Sequence, residues 1–175
     1  MATCGLCDGG EATTTVSGLG LCDVCAHTDP SEKLAARGQP AEFAKVLMRF
    51  TAGIHVPGLP EGFTLRIAPE RLAHSLVKMV MTEVEVGDPL FDDAIFIRTS
   101  DPDAARRYLA PEGVQSALLA LLSGVRPEVT PNLVLLEGDA VTLSVRPLED
   151  LDEERWLAYQ LEAAALAVHW ANVSG

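Results

Sequence analysis

The sequence predicts an α+β fold in which a small cysteine-rich N-terminal module precedes a larger domain with a mainly antiparallel sheet covered by helices. All four cysteines fall within the first 25 residues. From residue 63 onward, short strand-like patterns alternate with helical ones, and a long helix with a wide apolar face is expected near residues 152–171. We therefore divide the chain into a metal-binding module (1–37), a helix with a Pro/Gly-rich linker (38–62) and an α+β domain (63–175).

The cysteines form two Cys-x-x-Cys pairs, namely Cys4 with Cys7 and Cys22 with Cys25. Two intervening residues let one tight turn direct both sulfurs at a single ion, and a second such turn completes a tetrahedron. The predicted metal ligands are these four cysteines, and the predicted cofactor is a structural Zn²⁺ ion. Four thiolates fill the coordination shell and leave no position for a catalytic water.

Four cysteines can also serve different chemistry. Two disulfides would suit a secreted chain, but residues 1–10 lack the apolar core of a signal peptide. An iron centre or a redox dithiol would also use Cys-x-x-Cys pairs, although a thioredoxin-like dithiol needs one pair after a strand in a βαβ unit. His27 could replace a cysteine, yet we expect it at the surface or beside the ligands. Reduced thiols predict a cytoplasmic location.

Local signals indicate how the pairs are brought together. The threonine-rich residues 12–16 favour a short strand, so a small hairpin is expected between the pairs. After Cys25, Asp29 is predicted to cap a helix in which Pro30 takes the first position. The order knuckle, hairpin, knuckle, helix is that of a treble clef, with a ribbon-like module as the alternative.

The charge of the chain bears on its partners. The formal net charge is −12, and residues 1–31 contain four acidic residues and neither lysine nor arginine. Proteins that bind nucleic acids need a basic face that displaces counterions, so nucleic-acid binding is disfavoured and ranks third among the functions. A protein partner is expected instead, with a homodimer as one form of that contact. No apolar run is long enough to predict a membrane span.

The remaining elements are predicted from periodicity and turn residues. Residues 35–50 are compatible with a helix because Phe43, Val46, Leu47 and Phe50 recur at spacings of three and four. Residues 55–62 are rich in Pro and Gly and predict a loop that contains His55. The first of the later elements are a strand at 63–67, a helix within 69–83 that passes into a strand at 83–86, and a strand at 94–98. They are followed by helices at 104–109 and from 111 to a stop at Gly124, a hairpin of strands 133–136 and 140–145, and the long helix. That helix either covers the sheet or offers a dimer surface.

An acidic segment could carry chemistry of its own. Asp88, Asp92 and Asp93, with Asp101 and Asp103, offer enough oxygen ligands for Mg²⁺ or Ca²⁺, although their spacing does not match an EF-hand loop. Turn and cap roles are the favoured interpretation. The alternative is a small cation-dependent hydrolase. His74 and His169 lie in apolar, helix-compatible surroundings and are interpreted as packed or surface residues.

Two resemblances accompany these motifs. The sequence VEVGDPLFDD at 84–93, followed by FIRTSDP at 96–102 and ARRYL at 105–109, resembles an uncharacterised bacterial domain family over roughly residues 60–148. That resemblance implies a fold and no known activity. Residues 4–25, with LCDVC at 21–25 leading into a helix, resemble the treble-clef zinc domain of bacterial protein-unfolding ATPases, which implies dimerisation and adaptor or substrate binding. No Gly-x-x-x-x-Gly-Lys loop follows, so ATPase activity does not carry over.

The expected function is therefore a non-enzymatic, zinc-containing interaction or adaptor module of a bacterial cytoplasmic protein. Closed metal coordination, negative charge and the lack of a recognisable nucleophile and base favour it over the hydrolase.

Overall fold

A computed structural model describes residues 2–69, 82–126 and 132–174. Within them the larger sheet has seven strands, and all their pairings are antiparallel, in the order β3-β4-β9-β8-β5-β7-β6. A separate hairpin consists of β1 and β2. The strands are β1 Thr14–Val16, β2 Leu19–Leu21, β3 Ala41–Val46, β4 Arg49–His55, β5 Thr64–Pro69, β6 Thr82–Glu83, β7 Ile95–Thr99, β8 Leu133–Glu137 and β9 Ala140–Val145. The helices are α1 Asp23–Ala26, α2 Ser31–Ala36, α3 Pro89–Asp92, α4 Pro102–Leu109, α5 Glu112–Leu122 and α6 Glu153–Ser174.

The predicted α+β class is confirmed, with an antiparallel sheet, a long C-terminal helix and an N-terminal cysteine cluster. Strands β5 and β7, the β8–β9 hairpin, and helices α4 and α5 lie where the sequence places them, to within a few residues. Asp101 caps α4 as predicted, because its carboxylate accepts hydrogen bonds from the amides of Asp103 and Ala104.

The helix predicted within residues 35–50 is wrong, and so is the linker character of residues 41–55, whereas residues 56–62 form the predicted Pro/Gly-rich loop. Residues 41–55 form the β3–β4 hairpin, which belongs to the large sheet, and His55 ends β4 instead of lying in a loop. Phe43 and Phe50 fit a helical spacing, but the buried residues of β4 alternate with period two. The hairpin turn is Leu47-Met48, which lacks the Asn-Gly signal that normally identifies such a turn.

The helix predicted within residues 69–83 falls largely outside the described residues. Pro69 ends β5, and of the strand predicted at 83–86 only Glu83 belongs to a strand, β6 at Thr82–Glu83. The rest of residues 69–83, which includes His74, is not part of the described structure.

At β4 the core lies on one face of the sheet, whereas both faces of β7 carry buried residues. In β4 the residues Phe50, Ala52 and Ile54 are buried, while the neighbouring Gly53 is exposed. Helix α6 packs on this face and on α5, and its Trp170 is fully buried. The long helix thus covers the sheet, which is the first of the two roles predicted for it.

An aromatic cluster fixes the start of α6 to the sheet. The Phe50 ring centroid lies 5.3 Å from that of Trp156, 5.4 Å from that of Tyr159 and 6.0 Å from that of Phe43. Such aromatic pairs contribute packing energy beyond the burial of their area.

Replacing Phe50 with Ala should lower the free energy of unfolding by about 3–5 kcal/mol, because it removes a fully buried ring and leaves a cavity between α6 and the sheet. Urea denaturation followed by tryptophan fluorescence measures this loss. Thr142→Ala, at an exposed site in β9, is the matched control and should change stability by less than about 0.5 kcal/mol. Equal effects of the two substitutions would contradict this account of the core.

Candidate metal centre

The structure brings all four predicted ligands together. The sulfur atoms of Cys4, Cys7, Cys22 and Cys25 lie within 4.8 Å of one another, and those of Cys7 and Cys22 are 3.8 Å apart. A tetrahedral site with metal–sulfur bonds of about 2.3 Å has sulfur–sulfur edges of about 3.8 Å. The cluster therefore has the size that a tetrathiolate metal site requires.

Backbone contacts hold the two knuckles in register. In the first, the amide of Cys4 donates to the carbonyl of Gly10 at 2.8 Å, and the amide of Asp8 donates to the carbonyl of Cys4 at 3.0 Å. In the second, Cys22 precedes α1, and the amide of Ala26 donates to the carbonyl of Cys22 at 3.0 Å. Each pair thus spans one tight turn, as the two-residue spacing predicts.

Gly5 and Gly10 lie too close to neighbouring side chains to carry a Cβ atom. A Cβ atom on Gly10 would lie 2.8 Å from the Cβ of Cys22, and one on Gly5 would lie 2.4 Å from the side chain of Leu19. Neither glycine has a positive φ, which is found instead at Asp8 and at the hairpin turn. Their role is therefore to let the knuckles pack against the hairpin.

The four thiols differ in their tendency to ionise. Burial opposes ionisation of Cys4, but hydrogen bonds from the backbone amides of Cys22, Cys7 and Leu6 lower its pKa to about 6. Burial and the three neighbouring sulfurs raise the pKa of Cys25 well above its usual value. Negative charge on one sulfur opposes ionisation of the next, and a bound cation removes that opposition. The cluster is suited to holding a metal ion through four thiolates.

The metal-binding module is attached to α6 through its hairpin turn and the start of α2. The Ser17 hydroxyl donates to the Glu162 carboxylate at 2.5 Å, and Nε2 of His169 donates to the Ser17 carbonyl at 2.8 Å. The Gln160 amide donates to the Asp29 carboxylate at 3.1 Å. Buried residues of the module also join the same hydrophobic cluster as α6. These contacts fix the cysteine cluster relative to the sheet.

Sequence reasoning did not identify this attachment. Ser17, Glu162 and His169 are joined by contacts that span 145 or more residues of the chain, so no local pattern connects them. Asp29, the predicted helix cap, does accept a hydrogen bond from the amide of Ser31 at 2.8 Å, although α2 begins one residue later than expected. His27 is exposed and hydrogen-bonds to the Asp23 carbonyl, as a surface residue would.

The acidic segment has structural roles. Asp88 accepts a hydrogen bond from the amide of Leu90, and Asp92 accepts bonds from the amides of Val86 and Gly87. The others lie at helix ends: Asp93 follows α3, Asp101 caps α4 and Asp103 pairs with Arg106. Within the described residues, the four cysteines form the one His/Cys/Asp/Glu group close enough to hold a metal ion. This arrangement supports the turn and cap interpretation of the segment.

The chain matches no protein-family model, no curated protein and no solved structure. None of the described helices has the length and apolar character needed to cross a membrane.

Replacing Cys22 with Ser should abolish tetrathiolate metal binding and destabilise the whole chain, because the module shares its core with α6. We expect one unfolding transition with a clearly lowered midpoint, followed by the fluorescence of Trp156 and Trp170, together with loss of bound metal by elemental analysis. Thr14→Ala, at an exposed site in β1, is the matched control. A tryptophan transition unchanged by Cys22→Ser would show that the module folds independently.

Glu162 should make stability depend on pH. Burial raises its pKa above the ordinary value of 4.5, against the opposing hydrogen bond from Ser17. Because the pKa is higher in the folded state, the contribution of Glu162 to the free energy of unfolding is fully present below pH 4.5. This contribution is lost as the pH rises through the folded-state pKa. Glu162→Gln should remove this loss, so the variant should gain stability relative to the wild type between acidic and neutral pH.

The measurement is the difference in unfolding free energy between wild type and Glu162→Gln across that pH range. Metal release at low pH affects both proteins and therefore largely cancels in the difference. Glu61→Gln, at an exposed site, is the matched control for the loss of one carboxylate. A difference for Glu162→Gln that does not change with pH would contradict the assignment.

Proposed function

We propose that the four cysteines hold a structural Zn²⁺ ion in a treble-clef module, and that the protein is a non-enzymatic interaction module that binds another protein. The tetrathiolate donor set supports a structural metal because it leaves no position for a substrate or an activated water. The attachment of the module to α6 supports the same role, since it uses the metal-bound segment to complete the fold. Zn²⁺ in this site would cross-link the two knuckles.

The observation that carries the binding proposal is the hairpin tip, which we define as Val46, Leu47 and Met48. Leu47 is 87% exposed, and its two neighbours in the tip are also exposed. Leu47 and Met48 have φ angles of 49° and 65°. Each left-handed residue other than glycine costs roughly 1 kcal/mol, and two-residue hairpin turns favour Asn-Gly for that reason. The tip thus presents apolar side chains in a conformation that local stability disfavours.

Such a combination supports contact with another protein. Exposed apolar side chains at a strained turn contribute nothing evident to the core of the chain, whereas they would gain by burial against a partner. The charge of the chain supports a protein over a nucleic acid, because residues 1–31 lack basic residues and the net charge is −12. The partner is therefore proposed to be a protein with an apolar site that accepts the hairpin tip.

The double substitution Leu47→Asn with Met48→Gly tests this proposal. It replaces the apolar turn with the favoured Asn-Gly turn, so the free energy of unfolding should rise by about 1 kcal/mol while binding is lost. Affinity capture with wild type and variant, quantified by mass spectrometry, measures the binding. Leu90→Asn, at an 81% exposed site in α3, is the control and should keep the captured proteins. Identical proteins captured by the double variant would refute the role of the tip.

A further inference from the structure

We infer that the outer edge of β3 is a self-association surface, on which β3 of a second copy of this chain pairs in antiparallel orientation. This inference goes beyond the proposed function, since it involves backbone groups of β3 and does not require the side chains of the hairpin tip.

Among the described strands β3 ends the sheet, and helix α2 contacts it without hydrogen-bonding to its backbone. The strand also lacks two features that commonly interrupt an edge, a bulge and a proline. It pairs with β4 on one side over six consecutive residue pairs without a bulge, and it contains no proline. Its lysine, Lys45, donates to the carbonyl of Leu151 at 3.1 Å, so the charged group is held against the segment that leads into the chain's own α6. At the opposite end of the sheet, β6 has two residues. Natural proteins block long, regular edges because unpaired backbone groups recruit other strands.

The hydrogen-bond pattern identifies the groups on this edge. The amide of His55 donates to the carbonyl of Pro40 at 3.0 Å. Because antiparallel pairs alternate, the residues at positions 42, 44 and 46 direct their amides and carbonyls toward β4. The N–H and C=O groups of Ala41, Phe43 and Lys45 therefore point away from the sheet. No backbone group in the described part of the chain hydrogen-bonds to them.

These groups are self-complementary about Phe43. When Phe43 lies opposite Phe43 of a second copy, Ala41 lies opposite Lys45, and every outward N–H and C=O of the three residues meets a partner. The intervening pairs place Glu42 opposite Ala44, so no like charges are directly opposed. Both residues of each pair lie on the same face, as a continuous sheet requires. A single two-fold axis through the two Phe43 residues generates the whole arrangement.

The charge within β3 does not oppose a second copy at this edge. Two copies of a chain with a net charge of −12 repel each other over most of their surface. Strand β3 is an exception because Glu42 and Lys45 balance each other within it. The Phe43 rings of the two copies would also adjoin on the helix-covered face, where each ring already packs on Phe50. Pairing would extend the sheet from one copy into the next.

Amide exchange in the wild-type protein tests the inference without any substitution. By NMR, the amides of Phe43 and Lys45 should be protected, and their protection should increase with protein concentration as the mass doubles from 18.6 kDa. The amides at positions 42, 44 and 46 should stay protected at every concentration. Persistence of the monomer mass at high concentration, or a dimer in which Phe43 and Lys45 exchange freely, would overturn the proposal.

Lys45→Pro and Lys45→Ala separate backbone pairing from side-chain effects. Proline removes an outward N–H that β4 does not use, so the β3–β4 ladder should survive while the dimer dissociation constant rises tenfold or more. Alanine removes the same charge but keeps the N–H, so the dissociation constant of the alanine variant should lie well below that of the proline variant. Circular dichroism checks the fold of both variants. Equal dimerisation of both variants and the wild type would overturn the proposal.

The Leu47→Asn, Met48→Gly variant distinguishes this inference from the proposed function. It should remain a dimer, because its β3 residues are unchanged, even where it no longer captures a partner. A monomer whose β3 amides become protected on addition of another polypeptide would refute the second copy as occupant and assign the edge to a different chain.

Discussion

Four sulfur atoms within 4.8 Å of one another can all carry negative charge only when a cation lies among them, so the proposed metal ion would hold the two knuckles together. Buried residues of the module, among them Leu6 and Leu21, also belong to the same hydrophobic cluster as α6. The hairpin between the knuckles is connected to α6, because its turn residue Ser17 hydrogen-bonds to Glu162 and His169. The cysteine cluster is thereby connected to the long C-terminal helix.

The connection to α6 makes the module part of the main fold and not a separate domain. A separate zinc domain on a linker could move relative to its neighbour and bind a partner by itself. Here residues 41–55, whose sequence pattern predicts a helix and a linker, form two strands of the main sheet, and buried residues of the module join the core beneath α6. The module is therefore held against α6 by hydrogen bonds and by shared buried residues. The surfaces proposed to meet partners are the hairpin tip and the edge of β3.

Both surfaces come from the same hairpin, and each departs from what stability alone would favour. Leu47 and Met48 occupy left-handed positions that suit Asn and Gly, and β3 leaves a regular edge without proline or bulge. The other non-glycine residues with positive φ in the described structure, Asp8 and Ser17, both lie in the cysteine-rich module. Local rules are most often broken where a protein makes contacts.

The sequence by itself determined the pairing of cysteines at each knuckle, the β8–β9 hairpin, the cap of α4 and the long helix, because each depends on residues close together in the chain. Cys-x-x-Cys spacing, period-two alternation and Asp-Pro at a helix start are such signals. Only the tertiary structure decided that residues 41–55 are strands and that Ser17 meets Glu162. The first depended on pairing with β9, which compensates for a turn without Asn-Gly, and the second joins residues 145 positions apart. Contacts of that range leave no periodic trace in one sequence, since they arise when separate elements pack on a common core.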